Sequence, residues 1–545
     1  MNPRRRLLLA GSGAAATTLL AGCSSALPTL NRAVGPYPFT LGVASGYPTA
    51  TGVVLWTRLA PREGGRSGTG TSAAPFGASG SVAATDPAAD DPRPALPASI
   101  RVDWELARDE GMRAVVATGR VHTSAAGGDS VHIDVAGLEP GRWYWYRFSA
   151  LGHRSRLGRT RTLPAEGGAL GSLRLAVASC QNYEHGFYAA YRHMLADEPD
   201  LIVHLGDYIY EGTWGRNLVR PLGEPEVQEL AQYRGRHALY KRDPDLQTAH
   251  AMFPWVMVWD DHEVANDYAG ASAERITPPA TFLKRRTAAY QAYYEHMPLP
   301  QRMAPSGPDM RIHTSLSIGN LATLYLLDHR QYRSPQACPP KGRAGATTVV
   351  KGQCEALQDP ARSVLGNIQE QWLDRELGRS STRWNLIAQQ TLMAPLMLPG
   401  QDGAPPRLRT DGWDGYPVSR QRMLDSMARP GVRNPVVLGG DLHAFYAADL
   451  HRRPEAPSPI IASEFVGTSI TSQAAAQSYY DSLKAANPHI HHANGTQRGY
   501  LRLTLTPERL EADLMGLADA TTSESAVARQ AAFIVANGRP GPQAA

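Results

Sequence analysis

Three short segments carry most of the side chains that are suited to binding metal ions. They read HLGDYIYE from residue 204, WDDHEVAND from residue 259 and GGDLHAFY from residue 439. Each follows a run of apolar, β-favouring residues, so each is predicted to be a loop at the carboxyl end of a buried strand, where α/β sheets gather their ligands. Together they offer oxygen and imidazole donors for polyvalent cations: Asp207, Tyr210, Asp260, Asp261, His262, Asn266, Asp441 and His443.

The first segment indicates the kind of metal. Asp207 and Tyr210 lie three residues apart in a glycine-led turn, so both side chains can face one ion, and Asp207 has two oxygens with which to bridge two cations. A phenolate ligand needs a trivalent, strongly acidic metal, because a free tyrosine has a pKa of about 10. Cys180, in SCQNYEHGFY, also follows a predicted strand. A thiolate there together with Tyr210 favours Fe³⁺ over Mg²⁺; the alternative for Cys180 is a buried, inert thiol.

The second segment is predicted to add ligands and an acid. Asp260 and Asp261 are adjacent and would repel each other without a cation. Asn266 offers a neutral oxygen suited to Ca²⁺. His262 is predicted to contact phosphate or to protonate a leaving oxygen. The alternative, an acidic cluster that caps a helix, explains Asp261 and Glu263 but not the whole set.

The third segment and a fourth, LLDHRQYRS from residue 326, complete the candidate site. Asp441 and His443 lie two residues apart, so on an extended backbone they point to the same side. Arg330 is predicted to contact phosphate oxygens, because guanidinium geometry fits them; a structural Asp–Arg pair is the alternative. The predicted catalytic residues are therefore His262, Arg330 and His443. The chain has neither a GxSxG nucleophile elbow nor a P-loop.

The pattern around these segments predicts how the chain is organised. Residues 36–165 alternate apolar and polar positions as a β-sandwich does, and LEPGRWYWY from residue 138 resembles the tyrosine corner of immunoglobulin- and fibronectin-type domains. Residues 62–98 have almost no large apolar side chains and are predicted to be a disordered insertion. Over residues 170–517 strands alternate with helical segments, which predicts an α/β core. Residues 518–545 are predicted to form a short helix and a frayed tail.

The amino terminus resembles an export signal. Arg4, Arg5 and Arg6 precede an Ala/Leu/Gly-rich run that is shorter than the roughly 20 residues of a membrane-spanning helix. The twin arginines resemble a Tat signal, although Pro3 stands where Ser or Thr is usual. The tetrad that ends at Cys23 resembles a lipobox, so residues 1–23 are predicted to be a Tat-like lipoprotein signal. The expected partners are the Tat translocon and a membrane that holds a lipid on Cys23; an ordinary cleaved signal is the alternative.

Charge and the other cysteines set further limits. The 545 residues correspond to roughly two to four domains at about 100–200 residues each. The formal charge is +5, and removing the three arginines of the signal leaves +2. Scattered basic residues at that charge give no reason to expect nucleic acid as a partner. Cys338 and Cys354 flank a Pro/Gly/Lys-rich loop and are predicted to close it with a disulfide, which an exported protein can keep.

Six segments, in order and over nearly the whole mature chain, resemble the PhoD-type alkaline phosphatase/phosphodiesterase family. They are VASGYPTATGVVLWTRL, SCQNYEHGFY, HLGDYIYE, WDDHEVAND, LDHRQYRS and GGDLH. The resemblance implies an α/β (α+β layered) metallophosphoesterase core of the calcineurin-like type, an N-terminal immunoglobulin/fibronectin-like β-sandwich, export by Tat, and one Fe³⁺ with two Ca²⁺.

The resemblance also implies roles for particular residues. Its iron-side ligands would be Cys180, Asp207, Tyr210 and Asp441, with Asp207 shared with calcium and joined there by Asn266. In the related GNHE motif an Asn ligand precedes a catalytic His, whereas DDHE here presents Asp261 and His262. His329 stands where the family commonly has Thr.

The expected function is that of an exported phosphoesterase that hydrolyses phosphomonoesters or phosphodiesters at alkaline pH. Metal ions would polarise the phosphoryl oxygens and supply an oxide or hydroxide nucleophile. One alternative is a phospholipase D-like phosphodiesterase that acts on lipid head groups. Another is a non-catalytic envelope protein that binds phosphate-rich polymers, although the complete set of ligands argues against it.

Overall fold

The computed structural model describes residues 33, 35–60, 96–223, 225–400, 403–454 and 457–545. The predicted signal at residues 1–23 and nearly all of the predicted insertion at 62–98 lie outside these ranges. Within them, no helix combines the length and the hydrophobicity needed to cross a bilayer.

The N-terminal part of the chain forms strands. They are β1 (Val43–Gly46), β2 (Gly52–Arg58), β3 (Ile100–Ala107), β4 (Val115–Thr123), β5 (Ser130–Ala136), β6 (Trp143–Ala150), β7 (His153–Arg154) and β8 (Gly158–Arg161).

From residue 173 strands alternate with helices. The strands are β9 (Leu173–Ala178), β10 (Leu201–His204), β11 (Pro254–Met257), β12 (Thr314–Ile318), β13 (Ala322–Leu326), β14 (Thr348–Val350), β15 (Trp384–Ala388), β16 (Arg407–Arg409), β17 (Pro435–Gly439), β18 (Phe445–His451), β19 (Ile460–Val466), β20 (Ile490–Asn494), β21 (Gly499–Leu505), β22 (Arg509–Leu517), β23 (Val527–Ala536) and β24 (Arg539–Ala544). The helices are α1 (Ala189–Asp197), α2 (Leu230–Lys241), α3 (Pro244–Met252), α4 (Pro279–His296), α5 (Gly366–Arg379), α6 (Pro417–Met427) and α7 (Gln477–Ala486).

Two large mixed sheets form the centre of the described part of the chain. One has the strand order β24-β23-β22-β21-β9-β10-β11-β1-β2-β5, and the other has the order β12-β13-β15-β17-β19-β18-β20. Strands β9, β10 and β11 pair in parallel, as do β13, β15, β17 and β19. Parallel strands are covered on both faces, which explains why these segments are continuous apolar runs in the sequence. The chain therefore has the mixed α/β architecture that the alternation predicted.

The sheet that contains β15 and β17 has a hydrophobic core on each of its two faces. Leu386 and Leu438 face the core shared with the first sheet and with helices α1 to α4. Their neighbours Ile387 and Val437 face the opposite core, which contains apolar residues of α5 and α6. Because successive side chains of a strand point to opposite faces, this division places the two sheets against each other with helices outside.

The N-terminal strands form two layers, but one of them is part of the central sheet. The order β4-β3-β6-β7, with β8 beside β6, is a separate sheet whose buried residues pack on β2 and β5. Strand β1 pairs in parallel with β11, so β1, β2 and β5 extend the core sheet beyond the boundary predicted near residue 165. The pairing satisfies backbone groups that β11 would otherwise leave open at an edge. The tyrosine corner is present: the backbone N–H of Glu139 donates to the Tyr144 hydroxyl at 2.9 Å.

The prediction of a helix and frayed tail at residues 518–545 is wrong. Strand β23 pairs with β22, and β24 returns along β23. Asn537 and Gly538 form the two-residue hairpin connection between these strands, with Gly538 at a φ of +78°. Phe533 and Val535 are buried in the main core, so tertiary packing outweighs the weak helix preference.

Phe533→Ala is expected to lower the free energy of unfolding by about 3–5 kcal/mol, because it removes a buried aromatic ring and leaves a cavity. Arg539→Ala, at an exposed position of β24, is the control and should change stability by less than about 0.5 kcal/mol. Chemical denaturation of both variants measures the difference. Equal stability of Phe533→Ala and the parent would contradict the packing of β23 on the core.

Candidate active site

The candidate ligands converge at one end of the two sheets. Cys180 follows β9, Asp207 follows β10, Asp261 follows β11 and Asp441 follows β17. Cys180, Asp207 and Asp261 are buried, with at most 4% of the residue surface exposed, and Asp441 is half-buried. Because the strand ends lie at a common edge, residues up to 261 positions apart in the chain share one site, as the strand-end pattern predicted.

The backbone at these positions is unusual. Cys180, Asp207, Asp441 and His443 have φ values of +58°, +55°, +63° and +53°, in the left-handed region that residues with a Cβ rarely adopt. Each such residue costs about 1–3 kcal/mol and persists where the surrounding structure holds it, which is typical of functional sites. The loops therefore hold their side chains in place at a cost in stability.

Two groups of metal-binding atoms overlap at Asp207. Among the described residues, Cys180, Asp207 and His443 place ligand atoms within 4.8 Å of one another, and so do Asp207, Asp261 and His262. Asp207 belongs to both groups, as expected of a bridging carboxylate. Oδ1 of Asp207 and Oδ1 of Asp261 are buried and have no hydrogen-bond partner. Buried anionic oxygens without partners are costly, so this donor set fits cations.

Tyr210 lies beside the shared carboxylate. Its hydroxyl donates to Asp207 Oδ2 at 3.0 Å, accepts from Ser472 Oγ at 2.7 Å and lies 3.3 Å from His443 Nε2. Burial, followed by the charge of Asp207, raises the pKa of Tyr210 and of Cys180 well above their ordinary values. Both groups keep their protons unless a strongly polarising cation displaces them, which is the behaviour expected for ligands of a trivalent metal.

His443, predicted to be catalytic, lies in the first group of ligands. Its Nδ1 lies 2.7 Å from the Gln473 carbonyl oxygen, which fixes the proton on Nδ1 and leaves Nε2 as a lone pair. Burial, followed by the charge of Arg498, lowers the pKa of His443 to about 3. A neutral imidazole with its Nε2 beside Cys180 and Asp207 is better suited to bind a metal than to transfer a proton.

Glu211 holds the ring of His262 in place. Its Nδ1 lies 2.6 Å from Glu211 Oε2, and its ring centroid lies 4.2 Å from that of Tyr210. Burial alone would lower its pKa, but the charges of Glu211, Asp207 and Asp261 outweigh burial and raise it well above the usual value. With Nδ1 bound to Glu211, Nε2 is the ring nitrogen from which a proton can be donated, and the catalytic role of His262 stays a prediction.

Comparisons with known proteins match both parts of the chain to one group of phosphatases. The model of the PhoD-like phosphatase family matches residues 175–514, and the model of the N-terminal domain of PhoD-like phosphatases matches residues 22–164. Alkaline phosphatase D of Bacillus subtilis (strain 168) is 41% identical over 516 residues, which cover 93% of this chain and 82% of that protein. A solved structure titled "Structure of PhoD" is 40% identical, covers 94% of this chain and 92% of its own, and superposes with a TM-score of 0.83.

The chain belongs to the PhoD-like phosphatase family. It is therefore a phosphoesterase, and the family resemblance deduced from the sequence motifs is confirmed.

Within this phosphatase, Arg330 does not occupy the place predicted for it. Its side chain is 2% exposed, and its guanidinium binds Asp260, lies 3.5 Å from Asp261 and donates two hydrogen bonds of 3.0–3.1 Å to Asp411. The prediction of a phosphate contact is corrected, because three carboxylates occupy the guanidinium group. Arg330 instead forms structural ion pairs, the alternative that the sequence left open, and its carboxylate partners come from two other loops.

Two predicted ligands, Asp441 and Asn266, lie outside the two groups of ligand atoms found among the described residues. Thr391 Oγ1 donates to Asp441 Oδ2 at 2.8 Å. The side-chain amide of Asn266 donates to Glu274 at 3.2 Å, and its backbone N–H donates to Glu211 at 2.6 Å. A calcium-binding role for Asn266 stays a prediction.

Cys338 and Cys354 form the predicted disulfide.

Two carboxylates that the sequence did not single out organise the site. Glu263 is buried and accepts hydrogen bonds from the backbone N–H groups of Asp207 at 3.1 Å, Tyr208 at 2.6 Å and Asp260 at 2.8 Å. It thereby joins the loops after β10 and β11. Asp411 accepts from Arg330, Arg333 and Gln336. In the sequence it lies in TDGWDG and resembles a turn residue, so only its tertiary position reveals it.

Glu263→Gln is expected to weaken metal binding by about 10- to 100-fold, with a parallel loss of activity. The carboxylate accepts hydrogen bonds from backbone N–H groups, whereas a glutamine amide would turn an NH₂ donor toward one of them. Replacing a residue that supports metal ligands usually lowers metal affinity or activity by this factor. Metal titration and elemental analysis measure the effect. Glu226→Gln, on a side chain that is 40% exposed, is the control. Wild-type metal affinity in Glu263→Gln would show that the two loops hold their ligands without this link.

Proposed function

We propose that this phosphatase is an exported, metal-dependent enzyme of the alkaline phosphatase D type, which hydrolyses phosphomonoesters, phosphodiesters or both. The observation that carries the proposal is the overlap of the two groups of ligands at Asp207. The 41% identity to alkaline phosphatase D supports the substrate class. The layered sheets support a core of the metallophosphoesterase type with a fibronectin-like N-terminal layer.

We infer that the two groups of ligands differ in their metals. Cys180, Asp207, Tyr210, Asp441 and His443 would hold Fe³⁺, because thiolate and phenolate need a trivalent cation. Asp207, Asp261 and Asn266 would supply oxygens to Ca²⁺. When bound, the cations would stabilise charge on the phosphoryl group and supply the nucleophile.

His262 is the residue of this chain placed to move a proton. Glu211 holds Nδ1, so the proton on Nε2 is the one available to the leaving oxygen of the ester. Burial lowers the pKa of His262, but the charge of Glu211 raises it, which suits a general acid that works at alkaline pH. Arg330 holds Asp260 and Asp411 in position rather than contacting substrate.

Tyr210→Phe is expected to remove the visible charge-transfer absorption of the iron-loaded enzyme and to lower its activity, because it deletes the phenolate ligand. Tyr208→Phe is the matched control, since that hydroxyl lies 2.8 Å from His250 Nε2 and should not contact the metal. Absorption spectra, elemental analysis and rates on a monoester, a diester and a phospholipid measure the result. A colourless, iron-free wild-type preparation with full activity would contradict the iron assignment.

The same enzyme preparation can be used to test the need for Ca²⁺ and to compare classes of substrate. EGTA should abolish activity, and added Ca²⁺ should restore it, because oxygen ligands bind Ca²⁺ reversibly. Faster turnover of the phospholipid than of either small ester would favour the alternative of a phospholipase D-like enzyme. Metal binding with no hydrolysis of any ester would favour the non-catalytic alternative.

We also propose export by Tat and lipid anchoring at Cys23. Replacing Arg4, Arg5 and Arg6 by Lys should retain an active, iron-loaded protein inside the cell, because a folded metalloprotein needs the twin-arginine route. Cys23→Ala should release active enzyme from the membrane fraction. Cell fractionation with activity assays measures both. Active enzyme exported by the triple-Lys variant through the general secretory route would contradict this account.

A further inference from the structure

A small ribbon carries exposed arginines at the edge of the site. Strands β14 and β16 pair antiparallel, with Thr348 opposite Arg409. Between the arginines, Leu408 is buried in a separate small core with Ala337, Cys354 and Leu357. The disulfide between Cys338 and Cys354 closes the loop that contains β14. Because side chains alternate along a strand, Arg407 and Arg409 lie on the face opposite Leu408.

Arg409 faces the carboxylates of the site from the solvent side. Its side chain is 65% exposed, and its nearest charged partner is Asp267, with Nη2 at 3.7 Å from Oδ1. That separation is too long for a hydrogen bond, so Asp267 does not occupy the guanidinium group. The backbone N–H of Asp267 donates to Asp261 Oδ2 at 2.7 Å, so the guanidinium of Arg409 lies next to the loop that carries a predicted ligand.

The neighbouring arginines are not available to a ligand. Arg330 and Arg333 are at most 2% exposed, and both donate to Asp411, two residues from Arg409. A guanidinium binds phosphate oxygens through a planar fork of N–H donors, which needs at least one open edge. Arg409 has that edge and the buried pair does not.

We propose that Arg409 contacts the non-bridging oxygens of the phosphoryl group of the substrate, the role that the sequence suggested for Arg330. The proposal rests on the proposed function for its substrate class. The ribbon provides a base for the contact, since Leu408 and the disulfide loop fix β16 while the arginine projects toward the site. A guanidinium attracts a dianion more strongly than a monoanion. Arg409 should therefore matter more for phosphomonoesters than for phosphodiesters.

The competing explanation is that Arg409 only compensates the charge of Asp267. Asp267→Asn separates the two possibilities. Charge compensation predicts that Asp267→Asn, which removes the need for the arginine, abolishes the effect of a further Arg409→Ala substitution. A phosphate contact predicts that Arg409→Ala weakens phosphate binding in either background.

The test uses the metal-loaded enzyme and inorganic phosphate as the probe. Arg409→Ala is expected to raise the inhibition constant of phosphate about 10- to 100-fold, in line with the loss of a charged hydrogen bond. It should lower kcat/KM more for p-nitrophenyl phosphate than for bis-p-nitrophenyl phosphate. Arg409→Lys should recover part of the loss. Arg407→Ala, at an exposed position on the same face, is the matched control and should behave as wild type.

Metal content and thermal stability of each variant show whether a loss is structural, and Arg409→Gln replaces Arg409→Ala if the latter does not fold. An unchanged inhibition constant in Arg409→Ala overturns the proposal, as does a loss that vanishes in the Asp267→Asn background. Calorimetric titration with inorganic phosphate keeps the test independent of turnover. A wild-type enzyme that binds phosphate through Arg409 but hydrolyses no ester would contradict the proposed function and leave this proposal intact.

Discussion

The buried negative charge at one end of the two sheets is the constraint on which the rest of the structure depends. Asp207, Asp260, Asp261, Asp411 and Asp441 all lie in the loops of that end, and burial opposes the ionised form of every one of them. A cluster of this kind is tolerated where cations compensate it. Arg330 supplies one compensating charge from within the chain, and the buried Oδ1 of Asp207, which has no hydrogen-bond partner, fits further compensation by metal ions.

Different parts of the fold position the ligands and hold them in place. Parallel strands bring the loops to a common edge, and the left-handed residues turn the ligands inward. Glu263 fixes two loops through their backbone N–H groups, while Ser472 and Thr391 hold Tyr210 and Asp441. These supporting contacts orient the ligands before a metal binds, which limits the reorganisation that binding requires. The ribbon of β14 and β16 lies outside this network and is the part that faces the substrate.

Much of this was predictable from the sequence, and the rest depends on tertiary placement. The ligands could be found because strand-end motifs keep donors and their spacing together, as in HLGDYIYE around Asp207. The role of Arg330 could not be found, because the same guanidinium serves buried carboxylates or a phosphate depending on which loops surround it. Asp411 resembled a turn residue, and Ala-rich β23 resembled a helix until the packing of Phe533 decided its conformation. The pairing of β1 with β11 could not be predicted either, because no local sequence pattern shows which strand will pair with the edge of β11.

The central claim is that residues from four strand ends hold iron and calcium around a shared Asp207. Anomalous diffraction from crystals of the purified enzyme, measured on both sides of the iron absorption edge, tests it most directly. The account predicts an iron peak within bonding distance of Cys180 Sγ, Tyr210 Oη and an Asp207 oxygen, with a separate peak of calcium on the Asp261 side of Asp207. A peak that Asp207 does not contact, or iron bound without Cys180 and Tyr210, would contradict it.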